Sequence, residues 1–196
     1  MSIKISFKNS LNQKSVKNHV FFTNKNFKIN GLSKLPISKF SSFINQSLSS
    51  NELSEKNFLS LDINASQKVI LIKIKDSQSP FDIEKIGAEF YVYLKSNLYL
   101  KTTFYEQNIS DTFPKNRFFF DQFVQGLQLK SYEFNKYKSK SKEKKFDIEV
   151  FNKNKTFQFN RNKKYRSLIE GTNLTKDLVS EPLSLIHIWR CRRRVA

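Results

Sequence analysis

The sequence has little of what builds stapled, metal-clipped or phosphate-cradling folds. One Cys and two His exclude both an intrachain disulfide and a four-ligand zinc module. The four glycines, Gly31, Gly87, Gly126 and Gly171, stand far apart. A phosphate loop needs closely spaced glycines so that the backbone can approach the ligand, so a Walker loop and a dinucleotide fingerprint are excluded. The longest strictly aliphatic run is Val69 to Ile72, far too short to cross a bilayer. Acidic residues are scarce as well: 17 Asp+Glu against 35 Lys+Arg leave a net charge of +18, and none occurs before Glu52. Gly, Pro and Ala are depleted while Lys, Asn and Ile are frequent, the bias of an AT-rich genome. Much of the positive charge therefore reads as drift on solvated surfaces, and the expected affinity for nucleic acid is weak and non-specific.

The remaining composition supports a core. Apolar residues make up 38% of the 196-residue chain, with 20 Phe and 7 Tyr, too many for a wholly disordered chain. Residues 1 to 51 carry eight Lys and no carboxylate, a bias shared with mitochondrial presequences. However, they contain no Arg, and Ile3, Ile5 and Phe7 alternate with Lys4, Ser6 and Lys8 at a strand period. The expectation is the first strand of a cytoplasmic protein, with no membrane partner. Val20 to Phe22 reads as a second strand, followed by a polar turn through Asn24, Asn26 and Asn30-Gly31. A helix is expected over 37–48 from Ile37, Phe40, Phe43 or Ile44, and Leu48. Phe58 to Ile63 and Lys68 to Ile74 read as strands, the latter buried on both faces as in a parallel or mixed sheet.

Ser79-Pro80-Phe81-Asp82 is a helix start with an N-cap Ser, Pro at the first position and an acid at the third. Ile83, Ile86, Gly87, Phe90 and Leu94 then form one apolar stripe. A strand follows over Tyr99 to Tyr105. Pro114 precedes a helix whose Phe120, Phe123, Val124 and Leu127 share a face. Tyr137 to Lys145 is a basic, solvated loop, and Phe146, Ile148 and Val150 mark another strand. Residues 163 to 179 read as helical, with Leu168, Ile169, Thr172 and Val179 roughly on one face. Strands alternating with helices predict an α/β layered fold, and no internal repeat is present.

Candidate chemistry is thin. His19 and His187 lie far apart, and His19 is expected at the surface. Cys191 as a nucleophile would need a base and a pocket, and its neighbours are arginines. Asp147 and Glu149 fall on one side of a strand, where a solvent-facing polar edge outweighs acid/base work. Lys136 to Lys145, flanked by Tyr132, Phe134 and Tyr137, has the basic-aromatic character of a single-strand-binding patch without a fold signature to match. No catalytic, metal or cofactor-binding residue is assigned.

Two segments carry a family likeness. Phe123-Val124-Gln125-Gly126-Leu127-Gln128-Leu129-Lys130-Ser131-Tyr132-Glu133-Phe134-Asn135-Lys136-Tyr137-Lys138 resembles the helix and exit loop near the end of the N-terminal domain of leucyl aminopeptidases (the cytosol aminopeptidase family). Ile169-Glu170-Gly171-Thr172-Asn173-Leu174-Thr175-Lys176-Asp177-Leu178-Val179-Ser180-Glu181-Pro182 is similar to the family's "E-G-x-N-L-x-R-D-L-V-N-E-P" helix, which opens the catalytic domain. Lys176 replaces the usual Arg and Ser180 the usual Asn. Residues 1 to 120 match only in strand–helix order.

The resemblance implies a macro-domain-like mixed sheet flanked by helices over residues 1–158. A linker and the first catalytic-domain helix follow over 159–182. In the full-length family member, two divalent metals (Mn, Zn or Mg) activate a water that cleaves N-terminal residues from peptide substrates. Most members assemble as homohexamers. The family signature "N-T-D-A-E-G-R-L" is absent from this sequence, so no catalytic or metal residue carries over, and the fragment is expected to be a non-catalytic assembly or regulatory part. Residues 183–196 break sharply from the Lys-rich body. They hold the only Trp and Cys and four of the seven Arg, and from Leu183 to Arg193 they resemble a translated transposon-end sequencing adaptor with TGA read as Trp. This tail is expected to be non-native and is set aside from the fold. The alternative is a standalone macro-like or basic module binding ADP-ribose or nucleic acid.

Overall fold

The computed structural model describes residues 3–10, 16–24, 29, 42, 44, 46, 57–75, 78–114, 116–137, 145–152 and 163–181. Six strands, β1 (Ile3–Lys8), β2 (Asn18–Thr23), β3 (Phe58–Asn64), β4 (Gln67–Lys73), β5 (Lys101–Tyr105) and β6 (Phe146–Phe151), form one sheet in the order β1-β6-β5-β2-β4-β3. Every pairing is parallel except β3 with β4. The four described helices are α1 (Pro80–Ser96), α2 (Glu106–Thr112), α3 (Phe119–Ser131) and α4 (Lys163–Ser180). The expected mixed α/β sheet flanked by helices is thus present.

Position in the sheet follows side-chain character. Central strands have both faces covered, so β2 and the Val69–Ile72 core of β4 are buried throughout. The edge strand β3 alternates half-buried with exposed residues over most of its length and returns to β4 through a turn. There the Asn64 side chain accepts from the Ser66 and Gln67 amides at 3.0 and 2.8 Å, an Asx turn that fixes the hairpin.

Along β2, Val20 and Phe22 face a larger cluster beneath α1 and α3, while Phe21 faces a smaller one with Ile29, Ile44, Val69, Leu71 and Tyr105. Phe22 sits at the centre of the larger cluster, with Phe104, Phe113, Phe119 and Phe123 ring centroids 5.1 to 5.7 Å away. Truncating such a ring costs about 3–5 kcal/mol.

α1 begins as its sequence dictates. The Ser79 hydroxyl accepts from the Asp82 amide, and the Asp82 carboxylate accepts from the Ser79 amide at 3.0 Å, a complete capping box. These Ser79 hydrogen bonds hold the Asp82 carboxyl below its ordinary value. α1 and α3 then touch backbone to backbone. A Cβ on Gly87 would lie 2.0 Å from the Phe123 carbonyl oxygen, and one on Gly126 would lie 1.8 Å from that of Glu84. Gly126, part of the first family-like motif, is there because only a missing side chain lets the helices approach this closely.

Some expectations shift. The strand expected from Tyr99 starts at Lys101, because Leu98 (φ 55) and the Tyr99 amide, bonded to the Leu94 carbonyl at 3.0 Å, close the end of α1 first. Of the helix expected over 37–48, only Ser42, Ile44 and Gln46 are described; they are helical and Ile44 is fully buried. Apart from Asn24 and Ile29, the polar turn to Gly31 lies outside the described residues, as do most of the basic loop and the whole tail over 183–196.

Candidate functional site

The parallel order reverses between β2 and β5: the chain leaves β2 toward β3 and β4 but leaves β5 toward β6. Open α/β sheets bind ligands in the crevice at such a switch point. Here a side chain extends the hydrogen bonding past the end of the ladder. The β2–β5 ladder ends at Val20 and Phe104. Two residues on, Asn108 of α2 takes the place of a strand: its Oδ1 accepts from the Phe22 amide at 2.8 Å, and its Nδ2 donates to the Phe22 carbonyl at 3.1 Å. Asn108 is 1% exposed. No glycine among the described residues lies at the carboxyl ends of the strands.

The smaller face of the sheet carries a polar row. Ser6, Glu149, Thr103 and His19 are cross-strand neighbours over four strands. His19 is not at the surface as expected: it lies within β2, 1% exposed, because a central parallel strand has no outer face. Its Nδ1 is hydrogen-bonded to the Tyr105 hydroxyl at 2.5 Å, and its Nε2 meets no hydrogen-bond partner among the described residues. Burial pulls the imidazole from 6.5 to about 4, so it is neutral at pH 7, and pushes the Tyr105 phenol well up. Neither group reaches solvent, which leaves the pair a packing element rather than an acid–base couple.

Glu149 also departs from the expected polar edge, whereas Asp147 is exposed as read. Glu149 is 8% exposed and is held by Lys8 at 2.6 Å and Lys101 at 3.2 Å. Burial alone would raise its carboxyl; the hydrogen bonds from the two lysines outweigh that and hold it below the ordinary value.

The two family-like segments meet. The Tyr132 hydroxyl donates to Asp177 Oδ1 at 2.7 Å, and Lys176 Nζ donates to the Leu129 carbonyl at 2.8 Å while lying 5.2 Å from the Tyr132 ring centroid. Lys136 Nζ and the Tyr137 hydroxyl both bind the Glu181 carboxylate, and these bonds, that of Lys136 foremost, lower its pKa. Lys136 and Tyr137, read in sequence as part of a basic patch, are therefore committed to an intramolecular clasp on α4. The clasp was not foreseen; its only signal was that both halves fall within the two motifs. It also corrects the expected face of α4. Ile169, Thr172 and Lys176 are half-buried toward the body, whereas Leu168 and Val179 point outward.

The acids of α4 are dispersed. Glu170 pairs with Arg166 at 2.8 Å, Asp177 with Tyr132, and Glu181 with Lys136 and Tyr137. Glu170 and Asp177 lie seven residues apart, about 10 Å along the axis. Among the described residues no three of His, Cys, Asp and Glu gather to hold a metal ion, and no helix is long and apolar enough to cross a membrane. His187 and Cys191 lie outside the described residues.

No protein-family model matches the chain, and no curated protein matches it by sequence. Solved structures do match in fold. A point mutant of tomato leucine aminopeptidase superposes at TM-score 0.65 and 16% identity over 94% of this chain. The bottromycin maturation enzyme BotP, also solved in complex with Mn, gives TM-scores of 0.57 and 0.55 at 11% and 10% identity over 88% of it. The macrodomain of Thermus aquaticus DarG gives 0.51 at 8% identity over 77% of this chain and 99% of its own. The chain spans 39% of the aminopeptidase's length and 34% and 33% of the two BotP chains. At these identities the likeness is one of fold: a macrodomain-like mixed sheet of the kind these larger proteins contain.

Proposed function

We propose that this chain is the non-catalytic N-terminal part of a metal-dependent leucyl aminopeptidase, joined to the first helix of its catalytic domain. The reading assigns residues 1–158 to the macro-like domain, 159–182 to the linker and helix, and 183–196 to a non-native tail. One observation carries it: the two segments that resemble the family's motifs fold onto each other through Tyr132–Asp177, Lys176–Leu129 and the Lys136/Tyr137–Glu181 clasp. Independent motifs would have no reason to be complementary.

The full-length protein would cut N-terminal residues from peptides in the cytoplasm, as a homohexamer, with two Mn, Zn or Mg ions activating the attacking water. The residues described here do not fit those metals, since each acid of α4 is engaged by a different partner. What this chain's residues do is orient α4 and supply an assembly or regulatory surface. The test is the DNA downstream of the Pro182 codon, amplified from source. A continuation encoding a carboxylate-rich metal-binding domain supports the proposal; the same arginine-rich end recovered from independent DNA contradicts it.

The DarG likeness favours a second reading, a standalone macro-like module binding ADP-ribose or nucleic acid. Against it, the Asn108 side chain takes up the Phe22 amide and carbonyl at the switch point. Titration calorimetry with ADP-ribose separates the two: no heat of binding is expected, and micromolar affinity would favour the module.

A further inference from the structure

The amino ends of the parallel strands lie along one rim of the sheet, and that rim is basic. Lys4 of β1 and Lys101 of β5 are both cross-strand neighbours of Asp147 in β6. Lys145 lies two residues before Asp147, and Lys17 directly precedes β2, its carbonyl accepting from the Lys68 amide at 2.7 Å. With strands about 4.8 Å apart, the row from β1 to β2 spans about 14 Å. Lys4, Lys17 and Lys145 are exposed and pair with no carboxylate among the described residues. Lys101 leans on Glu149, and Asp147 is an exposed acid within the row. Two leucines share the rim: Leu98 is 58% and Leu100 45% exposed. The Leu100 carbonyl accepts from the Asp147 amide at 2.8 Å, and Asn18 Nδ2 donates to the Lys101 carbonyl at 2.7 Å. The turn that carries both leucines therefore sits between Lys145 and Lys17. Leu98 has φ 55, the left-handed region in which glycine ordinarily closes a helix. A leucine there is strained, and its exposed side chain recovers little of that strain by packing.

We propose that this rim is a peripheral contact for an anionic bilayer surface, the lysines meeting lipid headgroups while Leu98 and Leu100 enter the boundary beneath them. The proposal is independent of the aminopeptidase reading. It departs from the expectation of no membrane partner without requiring a spanning helix. Three features select this occupant. Lysines beside exposed leucines supply the two contributions that add in interfacial binding, attraction to anionic lipid and burial of apolar area. A phosphodiester backbone would use the lysines but leave both leucines in water. A strip about 14 Å long and about 10 Å wide offers about 140 Å², far below the roughly 800 Å² per partner of a stable protein–protein contact, and a second copy would set lysine against lysine. A bilayer needs no such area, because each headgroup adds its own small increment.

The test is co-sedimentation with lipid vesicles. Every protein used is the 196-residue chain with Arg190, Arg192, Arg193 and Arg194 each changed to Gln, so that the tail adds no charge of its own. It should sediment with vesicles of mixed phosphatidylcholine and phosphatidylserine and stay in solution with phosphatidylcholine alone. Lys4→Gln, Lys17→Gln and Lys145→Gln together should weaken binding at least about tenfold, since each lysine near an anionic surface is worth about fivefold. The charge-matched set Lys85→Gln, Lys130→Gln and Lys164→Gln, exposed on α1, α3 and α4, should change it less than about twofold. Asp147→Asn should tighten binding. Leu98→Gly should weaken it about threefold or more while raising the melting temperature, a pair of effects that unfolding cannot produce. Equal losses in the two lysine sets would reduce the binding to overall charge and overturn the proposal, as would Leu98→Gly binding like its parent. Rim-dependent binding of a single-stranded oligonucleotide without vesicle binding assigns the rim to nucleic acid and overturns it too.

Discussion

At Gly126 a single missing Cβ decides whether two helices can touch. The Cβ of Gly126→Ala would overlap the Glu84 carbonyl oxygen, 1.8 Å away, and both atoms belong to helices held by their own hydrogen bonds. Gly126→Ala should therefore lower stability by about 3 kcal/mol or more, read as a lower urea midpoint, whereas Gly171→Ala should raise it by up to about 1 kcal/mol. Equal effects would contradict the close approach. Asn108→Ala leaves the Phe22 amide and carbonyl without their partner and should cost about 2–4 kcal/mol. His19 gives a pH signature. Its folded value, about 4, lies below the unfolded 6.5. Above pH 6.5 neither state binds the proton; between 6.5 and 4 only the unfolded chain does, so stability falls by about 3 kcal/mol across that window and levels off below it. Glu149, whose carboxyl is held low, adds its loss only below about pH 4.5. Denaturation midpoints from pH 7.5 to 5 should show the slope in the natural chain and lose it in His19→Gln; an unchanged slope would assign it elsewhere. None of these roles was legible in the sequence. A His beside a strand reads the same whether its strand is central or at an edge, and Asn108 sits in a polar stretch without apolar period.

Elements were more legible than residues. β1, β4 and β6 announced themselves by period two or by an unbroken aliphatic run, and α1 by its capping box, because these signals are local. The Ser79→Ala change should accordingly cost about 1 kcal/mol, measured by thermal melting, with Asp82→Ala similar since the box is reciprocal. α2 was missed because Glu106 to Thr112 offers no apolar stripe; it is held by the bonds of its own Asn108 to Phe22 of β2. α4 was found, but its face was read only in part. Ile169 and Thr172 are half-buried as that face implied, joined by Lys176, whereas Leu168 and Val179 are exposed. Removing the clasp should free the helix without unfolding the body. In Tyr132→Phe combined with Glu181→Gln, amide exchange over 163–181 should accelerate at least tenfold while β2 and β4 exchange as before. Unchanged α4 exchange would mean that packing against α3, not the clasp, holds it.

On the scale of the molecule, layered α/β order was readable from alternating strand and helix patterns, but strand order was not, since pairing across the sheet leaves no local mark. The net charge of +18 invites a nucleic-acid reading, yet Lys8, Lys101 and Lys136 are spent on Glu149 and Glu181. Binding to single or double strands should therefore be detectable only at low salt and fall steeply as salt rises; sequence-selective binding at physiological salt would contradict that. The proposal made for the chain is that it holds the orienting part of a metal-dependent aminopeptidase, the chemistry lying in the longer product. Its most direct test is release of p-nitroaniline from leucine p-nitroanilide with millimolar manganese, for this chain and for the uninterrupted gene product side by side. The expected result is no release above a heat-denatured control for the chain, and chelator-sensitive turnover for the longer product. Chelator-sensitive turnover by the 196-residue chain, or none by the longer product, would contradict the claim.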